Sequence, residues 1–505
     1  MPKHILINFA LCLTFSISAS AQTANIQPVT PNASPEAKAL LQFLYSLSGN
    51  HTLTGQHNFR LAGSRNSKFA AQYSGKTPVI WGTDFGFAKA DDKDSYLLRK
   101  QLVKDAEAQY AKGAIVALCW HAVPPTADEP VTFQPLPGAD STKLQSVQGR
   151  LTDQQFKDIL TPGTSLYKNW IAQVDSIAFY LKKLQAAHVP VLWRPYHEMN
   201  GGWFWWGGRT GQYSTQALYR QLYDRFVNYH KLTNLIWVWS VDRPGKPEMA
   251  FNSYYPGDKY LDILALDVYG SDFKQDYYDQ LNILSNGKLM ALAEVGNPPS
   301  SEILAKQPRW SYWMIWAGMV RNTTKRQYEA FANNPRLLGL TDPYYINALN
   351  PYRAIIDMPP LPLTPPADFS GDWVFNEEKS KLDNFGMNNL ANRLEVIQDD
   401  DQLSLKRTYI DEWSDPRITD DKLPLNGVDV KPSMRSQNTI NAKLSAKSDS
   451  LHIHSKTVVK FGGQSFSIIT NEAWGLQNSG KELSIIQTST TPRGERKVVV
   501  VYDRE

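Results

Sequence analysis

Leu192-Trp193-Arg194-Pro195-Tyr196-His197-Glu198-Met199-Asn200-Gly201-Gly202-Trp203-Phe204-Trp205-Trp206-Gly207-Gly208 begins as an apolar run, ends that run in ionisable side chains, and passes into four consecutive aromatic residues. A short continuous apolar run reads as a strand covered on both faces. Delivering Arg194, His197 and Glu198 beside Trp203 to Trp206, it outlines a cleft in which charged groups meet flat apolar surfaces. Such surfaces suit the C–H faces of sugar rings as well as ordinary cores.

Outward from this segment, further apolar and often β-branched runs occupy residues 53–57, 78–85, 114–121, 235–241, 263–269, 289–294 and 312–316. With 189–198 they make eight. Helical patterns, apolar at three-and-four spacing, lie between several of them, at 96–111, 166–188, 215–231 and 324–332. Eightfold strand-helix repetition over about 300 residues predicts a (β/α)₈ barrel, the fold class TIM barrel. A doubly wound sheet is the alternative, but no glycine-rich phosphate loop follows the first strand. Polar residues gather where the runs end: His57, Asp84, His121, Glu198, Asp242, Asp267, Tyr269 and Glu294. In a barrel those ends share one mouth, and the long stretch 122–160 would overhang it.

Residues 351–366 carry Pro351, Pro359, Pro360, Pro362, Pro365 and Pro366, which predicts a stiff extended linker between a barrel at 22–350 and a second domain at 367–505. That second region alternates in short runs at 372–375, 393–398, 403–410, 439–444, 451–461, 465–474, 482–488 and 497–502, separated by turn signals. About eight antiparallel strands are expected there, forming a small all-β barrel or sandwich. Its opening run, from Phe369 through Trp373 to Ser380, resembles the first strand of lipocalin-like domains of secreted bacterial proteins.

Lys3 and His4, the apolar stretch 5–17 and Ala19-Ser20-Ala21 predict an export signal over 1–21, cleaved after Ala21. The expected location is secreted, periplasmic or cell-surface, without a membrane span. Cleavage would leave Cys119 as the single cysteine, read as a small buried strand residue. The 53 basic and 49 acidic residues nearly balance, so nucleic acid is not an expected partner. A monomer is expected. No metal and no cofactor is implied, because the histidines form no helical His-x-x-x-His pair and no cysteine cluster exists.

The segment holding Arg194, Pro195, His197, Glu198, Asn200, Gly201 and Trp203, completed by Trp205-Trp206-Gly207, resembles the signature of glycoside hydrolase family 26 and its β-mannanases. Ala293-Glu294-Val295-Gly296 is a second match. Cys119-Trp120-His121, Asp267 and Tyr269 in Leu-Asp-Val-Tyr, and Trp316 in Met-Ile-Trp extend the resemblance over roughly residues 35 to 350. The resemblance implies a barrel with catalytic carboxylates on strands four and seven, retention of configuration, Glu198 as acid/base and Glu294 as nucleophile. It further implies sugar contact or glutamate positioning by His121, Arg194, His197, Asp267 and Tyr269, with Trp203 and Trp316 as walls.

Independently, glutamates at the tops of strands four and seven would face each other across the mouth, as glycosidic cleavage requires. In the retaining geometry such carboxyls lie about 5–5.5 Å apart. Arg194 and Tyr269 are expected to hold Glu294 anionic, and the nearby negative charge to keep Glu198 protonated. The expected substrate and partner is β-mannan polysaccharide or oligosaccharide. Mixed-linkage β-glucan or β-1,3-xylan is the enzymatic alternative, and a glycan-binding protein without turnover the non-enzymatic one. Trp193, Trp237, Trp239 and Trp313 fall inside strand runs and are read as packing.

Overall fold

The computed structural model describes residues 26–59, 64–86, 95–140, 143–363, 367–382, 390–399, 401–411, 414–432, 438–445, 449–461, 464–492 and 494–505. The export signal at 1–21, Cys12 and residues 364–366 of the linker lie outside the described residues. Two compact units divide the chain, Met1–Leu363 and Thr364–Glu505.

The first unit is a closed parallel barrel. Its strands are β1 (Thr52–Leu53 and Gly55–His57, interrupted at Thr54), β2 (Ile80–Asp84), β3 (Ile115–Trp120) and β4 (Val191–Pro195). They continue as β5 (Leu235–Asp242), β6 (Ile263–Val268), β7 (Leu289–Val295) and β8 (Trp310–Ile315). Each pairs with the next, and β8 closes the ring by pairing with both β7 and β1.

The side-chain alternation of these strands separates two cores. Ile115, Ala117, Leu192, Ile236, Val238, Ile263, Ala265 and Leu289 pack inside the barrel, together with Leu40, Phe43 and Leu44 of the helix Pro35–Leu47. That helix covers the end where the strands begin, where Ser34 N–H donates to Thr233 O and Val29 N–H to Asp262. Val116, Leu118, Trp193, Trp237, Trp239, Leu264 and Trp313 face outward into the surrounding helices. These tryptophans are at most 4% exposed, as a packing role requires. At about 25 cal/mol per Å² of apolar surface, each contributes several kcal/mol to the core. The longest surrounding helix, Ser165–Ala186, starts where Thr164 accepts a hydrogen bond from Tyr167 N–H.

One irregularity matters for the mouth. Ala265 pairs with Ala291, but Asp267 pairs with Glu294, so β7 carries one extra residue. The same residue appears against β8, where Leu292 faces Trp313 and Val295 faces Ile315. This bulge shifts the alternation of β7, so that Glu294 points into the mouth although Ala291 and Ala293 both belong to the inner core.

The linker differs from its sequence reading. A helix, Pro343–Ile355, runs straight through Pro351, and the barrel unit extends to Leu363. Tertiary contacts override the local helix-breaking tendency of proline. Asn350 clasps Leu361 through both its amide and its carbonyl, at 3.1 and 2.7 Å, and Arg353 donates to Pro359 O and Ala111 O.

The second unit is a nine-stranded antiparallel sheet, one strand more than the sequence pattern indicates. In spatial order it runs Ser414–Pro424, Gln402–Asp411, Arg393–Gln398, Gly371–Lys381, Gly494–Arg504, Glu482–Thr491, Gln464–Gln477, Ser450–Phe461 and Thr439–Leu444. The extra strand, Ser414–Pro424, contains Asp415, Pro416, Asp420 and Asp421 and therefore reads as a loop; its long ladder with Gln402–Asp411 holds it. Bridges Asn426–Lys443 and Val430–Ile440 bring the two sheet edges almost to closure. Trp373, Leu403, Leu451, Trp474 and Tyr502 fill the interior, and buried Arg407 donates to Glu472 at 2.8 Å.

Candidate active site

The mouth of the barrel is built from strand ends in register. On the β6–β7 side, Arg194 reaches up from inside β4 and donates to Asp267 Oδ2 at 2.9 Å and to Glu294 Oε2 at 2.6 Å. Tyr269 OH donates to the other Glu294 oxygen, Oε1. Ser240 on β5 donates to Asp267 Oδ1 at 2.8 Å. Both Glu294 oxygens are thus tied to donors, and the carboxyl has one orientation. Burial and the Glu294 charge raise Tyr269 far above the ordinary phenol range, so it remains a donor.

Glu198 lies just past the end of β4, near enough for the Glu294 charge to act on it. Tyr196 and Glu198 both have left-handed backbone, φ 49° and 51°, which non-glycine residues adopt only when the surroundings enforce it. The enforcing contacts are visible. Trp206 Nε1 donates to His197 O, while Asn200 bonds both Asp242 O and Asp242 N–H, locking the turn to β5. Trp203 folds back over Gly201, where any Cβ would collide with its ring, and its Nε1 donates to Glu198 Oε2 at 2.5 Å. The loop after β3 pins this segment, through Gly149 N–H to Trp203 O and Trp205 N–H to Val147 O.

Glu198 is 8% exposed. Burial, then the charges of Glu294, Asp267 and Asp242, push its carboxyl well above the usual range, and the Trp203 hydrogen bond opposes this only in part. The two glutamates therefore sit in contrasting surroundings: burial and acidic neighbours favour the protonated form of Glu198, and Glu294 sits between two donors.

A histidine pair forms the third side. His121 Nδ1 lies 2.5 Å from Asp84 Oδ2, and its backbone N–H donates to Asp84 Oδ1. Burial works against the Asp84 charge, yet His121 and the Cys119 thiol hold its carboxyl well below the usual range. His121 Nε2 meets His197 Nε2 at 3.1 Å. The two rings are joined through these nitrogens, and His197 Nδ1 has no partner. Burial and neighbouring His121 keep His197 neutral. Trp316 stacks on His57 with centroids 4.0 Å apart, and Gln56 fixes the turn that carries it by donating to Ile315 O and Ala317 O.

The profile of glycosyl hydrolase family 26 matches residues 29–335. The chain belongs to glycosyl hydrolase family 26. A mannan endo-1,4-β-mannosidase of Thermothelomyces thermophilus is 32% identical over 324 residues, which are 63% of this chain and 62% of that protein. The chain thus spans less than two thirds of that relative. Among solved structures, GH26A from Muricauda sp. MAR_2010_75 is 41% identical with a TM-score of 0.57, covering 62% of this chain and 98% of the other. The β-(1,4)-mannanase GH26-CBM35 of Podospora anserina is 31% identical with a TM-score of 0.53, covering 65% and 70%.

For this family 26 chain, the residues singled out in the sequence gather at one mouth: Glu198 with Trp203, Glu294 with Arg194, Asp267 and Tyr269, and His121 with His197 and Trp316, whose ring lies 5.5 Å from His121. Sequence reasoning passed over Ser240 and Phe133, which packs against His121, and gave Asn200 no role beyond its place in the motif. Asp84, named in the sequence only as a strand end, orients His121. Ser240 gives no sequence signal beyond its inward phase on β5. Phe133 sits in the overhanging loop, which was legible as a loop but not residue by residue. Among the described residues, His57, Asp84 and Cys119 also converge, with donor atoms within 4.8 Å of one another.

Proposed function

We propose that this family 26 chain is an exported, retaining endo-β-1,4-mannanase, cleaving mannan, glucomannan or galactomannan by double displacement. The observation that carries this reading is the contrasting surroundings of its two glutamates. Burial and acidic neighbours push the Glu198 carboxyl well above the usual range, and Glu294 is oriented by Arg194 and Tyr269.

In the first step a Glu294 oxygen attacks the anomeric carbon while Glu198 gives its proton to the departing oxygen, so a glycosyl ester forms as the glycosidic bond breaks. The ester removes the Glu294 charge that had raised Glu198. Glu198 then ionises more readily, takes a proton from water, and the hydroxide so generated displaces Glu294. His197 Nδ1, which has no partner, is available to hydrogen-bond a sugar hydroxyl, and Trp203 and Trp316 flank the ring as walls. The mannan assignment rests on the names of the relatives. Export rests on the signal at 1–21; no helix among the described residues is long and apolar enough to cross a membrane.

Purified protein offered mannan, galactomannan, mixed-linkage β-glucan and β-1,3-xylan in parallel tests the reading. Preferential hydrolysis of the mannans, with the retained anomer appearing first by proton NMR, is expected. Equal or faster hydrolysis of the glucan would overturn the substrate, and first release of the inverted anomer would overturn the mechanism.

A further inference from the structure

His57 is fully buried, and neither of its ring nitrogens has a hydrogen-bond partner. An unsatisfied buried polar atom costs about 1–3 kcal/mol, so native interiors seldom keep two on one side chain without a use for them. Burial pushes the ring down to about 3, which leaves it neutral with a free nitrogen lone pair, the form that binds metals. Register brings that ring to two further donors. His57 pairs with Gly82 on β2, and Asp84 pairs with Cys119 on β3, so three adjacent strands direct an imidazole, a carboxylate and a thiol inward. The thiol already donates to Asp84 Oδ2 at 2.9 Å.

We propose that His57, Asp84 and Cys119 form an inhibitory site for one thiophilic divalent cation of the zinc and cadmium class, beneath the proposed catalytic cleft. The donor set selects the ion. Mixed sulfur, nitrogen and oxygen ligation suits zinc-like metals, and metal bonds of about 2.0–2.3 Å need only modest inward movement from donors that already lie within 4.8 Å. Charge selects the valence. The incoming cation displaces the Cys119 proton to solvent, so one thiolate and one Asp84 carboxylate exactly balance two positive charges, and no unpaired charge is left buried.

Inhibition follows from a shared atom. The Asp84 oxygen that the cation would take, Oδ2, is the one that holds His121 Nδ1. A metal there releases His121 from its fixed orientation, and with it the hydrogen bond to His197 beside Glu198. The inhibitory half of the proposal rests on the hydrolase reading above; the binding half does not.

The test uses the full chain with Cys12→Ser, so that Cys119 is the single thiol, and titrates it with Cd²⁺. The expected result is saturation at one Cd²⁺ per chain, with an ultraviolet thiolate-to-cadmium charge-transfer band. Mannan hydrolysis should fall in parallel by about tenfold or more, the usual effect of losing a supporting contact, and return with EDTA. In the same background Cys119→Ser keeps a donor toward Asp84 but removes the sulfur; the band should vanish and hydrolysis should stay near its metal-free rate. Absence of the band in the single-thiol chain, or equal inhibition in Cys119→Ser, overturns the site. If Cys119→Ser does not fold, ¹¹³Cd NMR of the single-thiol chain decides: a shift typical of mixed sulfur and nitrogen ligation supports the site, and an all-oxygen shift overturns it. A chain that shows the band but never hydrolyses mannan would leave cation binding intact and refute the mannanase reading instead.

Discussion

The β4 end and the β7 end of the barrel present the same side chain in opposite surroundings. Glu294 has a guanidinium on one oxygen and a phenol on the other, while Glu198 has one indole N–H and three acidic neighbours. One corner therefore fixes a carboxyl group in place, and the other favours its protonated form. What separates the proposed acid from the proposed nucleophile is not residue type but what the neighbouring strands contribute: Arg194 from β4 leans across to Glu294, and Trp203 folds back onto Glu198.

Removing each part should break the contrast to a different degree. Glu294→Ala should abolish polymer hydrolysis, lowering kcat by about 10⁴-fold or more, as when a covalent nucleophile is removed; reducing-end assays check it. Glu198→Ala should lower polymer turnover by about 10²–10⁴-fold, the range for a general acid, but spare aryl glycosides, whose leaving groups need little protonation. Equal losses on both substrates would contradict its role. Arg194→Met strands Asp267 and Glu294 without their shared cation and should destabilise the protein by about 3–5 kcal/mol in urea unfolding. A near-neutral result would mean that the cluster relaxes by taking up protons.

Trp203→Phe sharpens the comparison most finely. The indole favours ionised Glu198, so losing it raises that carboxyl further. Activity needs the protonated acid and is lost as pH rises through its pKa. The alkaline limb of the kcat/KM profile should therefore move to higher pH, and a shift to lower pH would contradict the arrangement.

How far the sequence reaches can be argued from these same residues. The strands were legible because apolar runs end in ionisable residues, and the glutamate pair was singled out among those strand ends by the resemblance to family 26. Glu294 was legible as a strand end, but the bulge that aims it was not, since an extra residue in β7 shows only against its neighbours. The helix through Pro351 and the acidic strand Ser414–Pro424 were hidden because tertiary pairing overrides local propensity in both. His57, Asp84 and Cys119 are far apart in sequence, and only strand register brings them together.

The most direct test of the central claim is to trap the intermediate. An activated 2-deoxy-2-fluoro-β-mannoside slows breakdown of the glycosyl ester, and peptide mass mapping then locates the attached sugar. The account predicts one adduct per chain, on Glu294 in the β7 peptide. An adduct on Glu198, or turnover of mannan with the inverted anomer released first, would contradict it.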